Sequence, residues 1–112
     1  MSEKKILYLV GTQIDSARDQ KYNDWYNSTH LPLNFECQSV DKITRYKLLP
    51  ESEGDYAQYI AVFEFKDHQA FDNWQFGPER EAAREDSKKV WAGKGAEVKW
   101  KAAYEVINSW SR

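Results

Sequence analysis

Cysteine, histidine and long apolar runs are scarce in this chain, and each scarcity excludes a class of protein. The single cysteine, Cys37, cannot form an internal disulfide, which fits a reducing compartment. The two histidines, His30 and His68, lie far apart, and without HxxH or CxxC spacing the sequence predicts no metal site. No apolar run exceeds ILYLVG, which is too short for a signal peptide or a membrane span. We therefore expect a cytoplasmic protein with no membrane partner.

Aromatic residues, by contrast, are abundant. Five Trp, seven Tyr and five Phe among 112 residues suggest an aromatic-lined cavity or interface in addition to a core. The length predicts a single domain over residues 1–112. The net charge of −2 gives no long-range attraction for nucleic acid. Gly93-Lys94-Gly95 lacks the spacing of a phosphate-binding loop, and we expect no cofactor.

The hydrophobic pattern predicts the element order βαββαβ. Strands are predicted over residues 4–12, 40–49, 56–66 and 97–107. Asp15 or Ser16 can cap the first helix, and Pro32 should stop it near His30. Pro32 can also open a second short turn through Phe35 and Cys37. Asp67 caps the second helix, which Gly77-Pro78 interrupts before it continues to Trp91. This order predicts an α+β, ferredoxin-like fold: a four-stranded antiparallel sheet with both helices on one face.

The third predicted strand is apolar on both faces, which two helices on one side cannot cover. Tyr59, Ala61, Phe63 and Phe65 share one face, and Tyr56, Ile60 and Val62 share the other. At about 25 cal/mol per Å², leaving several such side chains in water would forfeit several kcal/mol. A homodimer that stacks two sheets face to face is the simplest solution.

Four segments carry a resemblance to a known superfamily: ILYLVG, YNDWYNSTHLP, ITRYKL and, more weakly, FDNWQFGPEREAAREDSKKVW. They resemble the dimeric α/β-barrel superfamily, and most closely its EthD-like and muconolactone-isomerase-like members. The resemblance implies ferredoxin-like protomers whose sheets pair into a barrel, with one small pocket per protomer between the sheet and the first helix. It also implies chemistry such as cofactor-free oxygenation, lactone isomerisation or polyketide cyclisation. Some relatives bind haem, but no residue here indicates an axial ligand.

By the same resemblance, His30 takes the place of a pocket histidine and Tyr46 that of an aromatic residue on the second strand. A histidine exchanges protons near neutral pH, and a phenol can donate a hydrogen bond to an oxyanion. We therefore expect His30 and Tyr46 as catalytic residues, with Arg45 on the opposite face of its strand. For a lone histidine, a packing or helix-capping role is the competing interpretation. The aromatic residues expected to contact a flat apolar ligand, with core packing as their competing role, are Tyr8, Trp25, Tyr26, Tyr59, Phe63, Trp74 and Trp91.

Three functions remain open at this point. The first is a cofactor-free enzyme acting on a small aromatic, polyketide or lactone-like compound. The second is a non-catalytic dimer that binds a small hydrophobic ligand. The third is an RNA-recognition domain, which uses the same element order. Ala57 and Gln58 stand where the stronger motif of that family needs a basic residue and a glycine, and the acidic net charge also argues against RNA.

Overall fold

The computed structural model of the protein describes residues 4–112 and has the predicted order of elements. The strands are β1 (Ile6–Gln13), β2 (Lys42–Lys47), β3 (Tyr59–Phe65) and β4 (Glu97–Glu105). The helices are α1 (Asp19–Trp25), α2 (Leu31–Phe35), α3 (His68–Gln75) and α4 (Pro78–Trp91). A short 3-10 turn, Ser16–Arg18, precedes α1, and a π turn, Tyr26–His30, joins α1 to α2. All four strands are shorter than, or displaced from, their predicted ranges at one or both ends.

The four strands form one antiparallel sheet in the order β2-β3-β1-β4. β1 lies at the centre, and Ile6 stands opposite Phe65 on β3 and Glu105 on β4. The pairing of β1 with β4 shifts between Gly11 and Thr12, as at a β-bulge. Together with the helices, this is the α+β, ferredoxin-like fold that the sequence predicted.

The core lies between the sheet and the helices. The inward residues of β3 (Ala61, Phe63, Phe65) are buried, and Phe71 and Trp74 of α3 pack against them. Asp67 caps α3 as expected, because its side chain accepts a hydrogen bond from the Ala70 amide at 2.8 Å.

The other face of the sheet carries apolar side chains that no helix covers. Leu9 and Val62 are only partly buried there, and 56% of Tyr46 and 57% of Tyr104 are exposed. Trp100 lies over Gly11: a Cβ at Gly11 would come within 2.7 Å of the indole Nε1. We call this surface the outer face of the sheet.

Pro32 does not end the helical path near His30, so that prediction was wrong, whereas the short turn expected after Pro32 is present as α2, which ends at Phe35. The backbone stays helical at Leu31, and the helical path continues to Phe35 through the π turn. Proline has no amide hydrogen, and its ring crowds the carbonyl four residues earlier, here that of Ser28. A π turn relieves this conflict by widening the helix, so that the Leu31 amide donates to the carbonyl of Tyr26, five residues back.

Candidate functional site

A cavity of about 230 Å³, partly open to solvent, lies between the sheet and the helical layer. It is smaller than the ~300–1,000 Å³ pockets that hold drug-sized ligands, and so suits a molecule with about one substituted aromatic ring. The residues that line it are Tyr8, Val10, Thr12, Tyr22, Trp25, Tyr26, His30, Asn34, Phe63, Trp74, Arg80, Ala83, Arg84, Ser87, Lys88, Val98 and Lys101.

His30 is the last residue of the π turn, and its imidazole is enclosed by aromatic rings. It stacks on Trp25, with ring centroids 4.8 Å apart and 29° between the planes, and it also contacts Tyr26 at 4.8 Å. Neither ring nitrogen is hydrogen bonded to another residue within 4–112, and Nδ1 is fully covered. Burial lowers the pKa of His30 to about 4, against the opposing attraction of Asp86. The imidazole is therefore neutral at physiological pH and able to accept a proton.

Hydrogen bonds to the surrounding helices hold the His30 region in place. The buried side chain of Asn34 donates to the His30 carbonyl at 3.0 Å and accepts from Trp74 Nε1 at 3.1 Å. Trp25 Nε1 donates to Asp86 Oδ2 on α4 at 2.8 Å, which fixes the indole on which His30 stacks. The π turn, α3 and α4 are thus tied together around the imidazole.

Basic side chains form another part of the cavity wall. Arg80 of α4 donates to the Tyr8 hydroxyl at 3.1 Å, and its guanidinium lies 4.7 Å from the centre of the Trp74 ring. Arg84 and Lys88 follow on the same face of α4, since residues four apart are neighbours on a helix. Lys101 reaches the cavity from β4.

Tyr46, expected beside His30, lies on the outer face of the sheet and does not line the cavity. Arg45 points toward the helices instead, with its guanidinium 4.3 Å from the centre of the Tyr26 ring and Nη1 donating to Asn27 at 3.0 Å. The expected orientation of these two residues was therefore wrong. The cause is register: Ile43 packs against the core and side chains alternate along a strand, so Arg45 also faces inward, opposite the small residue Ala61.

Five of the seven aromatic residues expected around a ligand line the cavity together with His30: Tyr8, Trp25, Tyr26, Phe63 and Trp74. Tyr59 lies outside the lining, and its hydroxyl donates to Asp19 at 2.5 Å. Trp91 is also outside, packed edge-on against Tyr22 with ring centroids 5.1 Å apart. Both serve as packing around the cavity.

Sequence reasoning missed the polar and basic lining residues Thr12, Tyr22, Asn34, Arg80, Arg84, Ser87, Lys88 and Lys101. A signal was available for α4, where Arg80, Arg84, Ser87 and Lys88 follow a helical period around the buried Ala83. Lys101 faces the helices because it stands opposite Val10 on β1, whereas the apolar residues Trp100 and Ala102 beside it face the other way, so the sequence pattern gave no signal for it.

Residues 4–112 were also compared with what a metal site and a membrane-spanning helix require. Nowhere among them do three or more His, Cys, Asp or Glu side chains come together as a metal site would need. None of their helices combines the length and apolar character that crossing a membrane would require.

Solved structures with the same fold come from distant relatives. An EthD-family protein from Bacillus halodurans is 19% identical, with a TM-score of 0.68 over 93% of this chain and 99% of that one. A hydroxynitrile lyase from Passiflora edulis is 13% identical, with a TM-score of 0.72 over 99% and 100% of the two chains. A dimeric ferredoxin-like protein from an uncultured marine organism is 13% identical, with a TM-score of 0.61 over 96% and 99%.

These likenesses establish the ferredoxin-like fold and nothing finer, because all three identities are low. A search of curated protein sequences gave no match. A family model does match, over residues 5–101, which is most of the sequence and includes β1 to α4 and the beginning of β4. The chain therefore belongs to the family described as "Domain of unknown function (DUF4286)".

Proposed function

We propose that the protein is a cofactor-independent enzyme that binds a small aromatic molecule in the cavity and uses His30 to move a proton on it. The observation that carries this proposal is a neutral imidazole, with no hydrogen-bond partner within residues 4–112, in the wall of an aromatic cavity. A histidine retained only for packing would be expected to satisfy its buried nitrogen.

The aromatic lining supports a flat ligand. Tyr8, Phe63 and Trp74 pack against one another with ring centroids 5.0 to 6.0 Å apart, so their positions are mutually fixed. A rigid aromatic wall binds a planar ring through stacked or edge contacts with little loss of side-chain freedom.

His30 is suited to take a proton from a carbon or hydroxyl made acidic by a neighbouring carbonyl. In the keto–enol case the C–H bond breaks, its electron pair forms the enolate, and the proton moves to His30 before it returns to oxygen. A pKa of about 4 makes the free imidazole a weak base. The enolate formed beside it stabilises the imidazolium, because opposite charges attract strongly in a site of low dielectric constant.

A homodimer is part of the same proposal. The outer face exposes large apolar side chains, including Tyr46, Tyr104 and Trp100, and stacking on a second copy would remove them from water. The relative from the marine organism is described as dimeric, which agrees with this arrangement. Tyr46 would then contribute to the interface between subunits.

A non-catalytic protein that binds a small hydrophobic ligand is the competing function. The same aromatic wall would serve it, but such a protein has no need of an unengaged imidazole. The two functions differ in whether chemistry depends on His30.

Phenylpyruvate is a suitable probe, because it combines an aromatic ring with a benzylic CH₂ next to a ketone. We expect the wild-type protein to accelerate its keto–enol conversion, followed by absorbance, and the exchange of its benzylic protons in D₂O, followed by NMR. His30→Gln should abolish both while binding of the probe persists. If the probe bound but exchange did not exceed the buffer rate, the catalytic function would be wrong and the binding function would stand. If the variant exchanged as fast as wild type, the assignment of catalysis to His30 would be wrong.

A further inference from the structure

Charge is unevenly distributed around the cavity. The whole chain has a net charge of −2, yet the cavity lining contains four basic side chains, Arg80, Arg84, Lys88 and Lys101, and no Asp or Glu. Within residues 4–112, none of the four forms an ion pair with a carboxylate. An acidic chain with an unpaired basic wall around one cavity provides a local field that favours an anion there.

Arg80 is held in a fixed position on this wall. Its Nη2 donates to the Tyr8 hydroxyl at 3.1 Å, its Nη1 approaches the Gln75 carbonyl at 3.5 Å, and its guanidinium lies over the Trp74 ring. These partners are all neutral, so the positive charge is not compensated. A guanidinium has five N–H donors, and these contacts leave several of them for a ligand. An arginine ordered in this way loses little freedom when it binds a planar anion.

The other three basic residues are exposed and act differently. Arg84, Lys88 and Lys101 lie at the solvent side of the cavity, where salt screens their charges. They increase the local concentration of an anion, whereas the partly buried Arg80 can bind it in a fixed geometry. Arg80 should therefore dominate the affinity, and the exposed three should dominate its dependence on salt.

We infer that the cavity recognises a small aromatic carboxylate, with Arg80 as the specificity-determining residue that pairs with the carboxylate while the ring lies against the aromatic wall. This inference rests on the proposed small-molecule function and specifies its substrate class. It does not depend on His30 being catalytic.

Binding of a matched pair of probes tests the inference. Phenylpyruvate and phenylacetone share the ring, the CH₂ and the ketone, but phenylacetone has a methyl group in place of the carboxylate. Tryptophan fluorescence or calorimetry should show phenylpyruvate binding at least roughly tenfold more tightly at low salt, as charge-assisted hydrogen bonds allow. Arg80→Gln should reduce phenylpyruvate affinity by roughly ten- to a hundredfold and leave that of phenylacetone nearly unchanged. Arg80→Lys, which keeps the charge without the forked geometry, should lie between.

Lys89→Gln is the matched control, because Lys89 is an exposed cation of α4 that does not line the cavity. It should change affinity less than twofold. Arg80 also contacts Tyr8 and Trp74, so Arg80→Gln could unfold the protein. In that case the test uses the double variant Arg84→Gln/Lys101→Gln instead. Those exposed side chains have no packing role, and their loss should make phenylpyruvate binding markedly less sensitive to salt.

Two results would overturn the inference: phenylpyruvate that binds no better than phenylacetone, including no binding at all, or an Arg80→Gln protein that binds like Lys89→Gln. The catalytic proposal fails separately. Tight, Arg80-dependent binding of phenylpyruvate without His30-dependent proton exchange would support the anion site and contradict the catalytic function. His30-dependent exchange of phenylpyruvate protons, with the same phenylpyruvate affinity in Arg80→Gln as in Lys89→Gln, would support the enzyme and contradict the anion site.

Discussion

The imidazole of His30 stacks on the indole of Trp25, with ring centroids 4.8 Å apart and the planes inclined by 29°. The indole is in turn fixed by the hydrogen bond from its Nε1 to Asp86, 2.8 Å away on α4. The ring against which His30 packs is therefore positioned by α4, the helix that also carries Arg80, Arg84 and Lys88 of the cavity wall.

The buried imidazole should titrate far below an ordinary histidine. Burial lowers the pKa of His30 from 6.5 to about 4, so NMR titration of the imidazole should show a midpoint near 4. A bound aromatic carboxylate should raise the pKa of His30, because its negative charge stabilises the imidazolium. A midpoint near 6.5 in the ligand-free protein would show that the imidazole is solvated.

The same pKa difference predicts how stability depends on pH. Because the folded chain binds this proton less readily than the unfolded chain, stability is lost as the pH falls from 6.5 to about 4 and is unaffected by His30 above that window. The loss is roughly 3 kcal/mol at one pKa unit per 1.4 kcal/mol. Urea unfolding at several pH values should show this slope in wild type and a flatter one in His30→Gln. Equal slopes would contradict the prediction.

Asn34 should be the most sensitive positioning residue of the site. Replacing it with Leu keeps the branching at Cγ but removes both the donor to the His30 carbonyl and the acceptor for Trp74 Nε1, leaving the buried indole N–H without a partner. We expect a loss of about 1–3 kcal/mol in the free energy of unfolding, measured with urea. Asn73→Ala is the control: this exposed side chain is hydrogen bonded only to other surface groups, so its loss should stay within about 0.5 kcal/mol.

The fold was predictable because every level of the sequence agreed on it. The apolar segment of β3, the Asp67 cap and the Gly77-Pro78 break predicted a strand, a helix start and a helix interruption that the structure contains. The end of the first helix was not predictable from Pro32 alone. Local sterics disfavour a helix before proline, but a π turn can absorb the conflict when packing of the surrounding residues favours continuing the helix.

The site was only partly predictable, for a reason that concerns register. Trp25, Tyr26 and His30 line the cavity because an apolar helix face must pack toward the sheet. Tyr8 and Phe63 line it because they stand opposite each other on the inward face of β1 and β3. Tyr46 was expected to face the helices, but Arg45 does so instead. The segment KITRYK has no clear apolar face, so the direction of its side chains depends on how it pairs with β3. Arg80 was overlooked because a cation on an amphipathic helix is usually solvated, although it shares the helical period of the buried Ala83 and contacts Tyr8 in the structure.

Gly11 should tolerate no side chain. An added Cβ would lie 2.7 Å from Trp100 Nε1 and 2.9 Å from the Cβ of Ala57, both closer than van der Waals contact. Gly11→Ala should therefore lower the free energy of unfolding by about 1–3 kcal/mol, as measured by urea denaturation. Combining it with Trp100→Ala removes the nearer clash but not the contact with Ala57, so the double variant should recover part of the loss attributed to overpacking. If the two substitutions changed the free energy of unfolding additively, Trp100 would not cover Gly11 in solution.

A charge at the centre of the outer face should separate the proposed dimer. Val62 stands on β3 between Leu9 and Thr44 of the neighbouring strands, and a glutamate there would be buried without a partner when two sheets stack. Sedimentation equilibrium should give the mass of two chains for wild type and of one chain for Val62→Glu at micromolar concentration. Ala82→Glu places the same charge on the exposed surface of α4 and should remain dimeric. Circular dichroism should show that Val62→Glu is folded. A single-chain mass for wild type would contradict the proposed dimer and mean that the outer face is exposed to water.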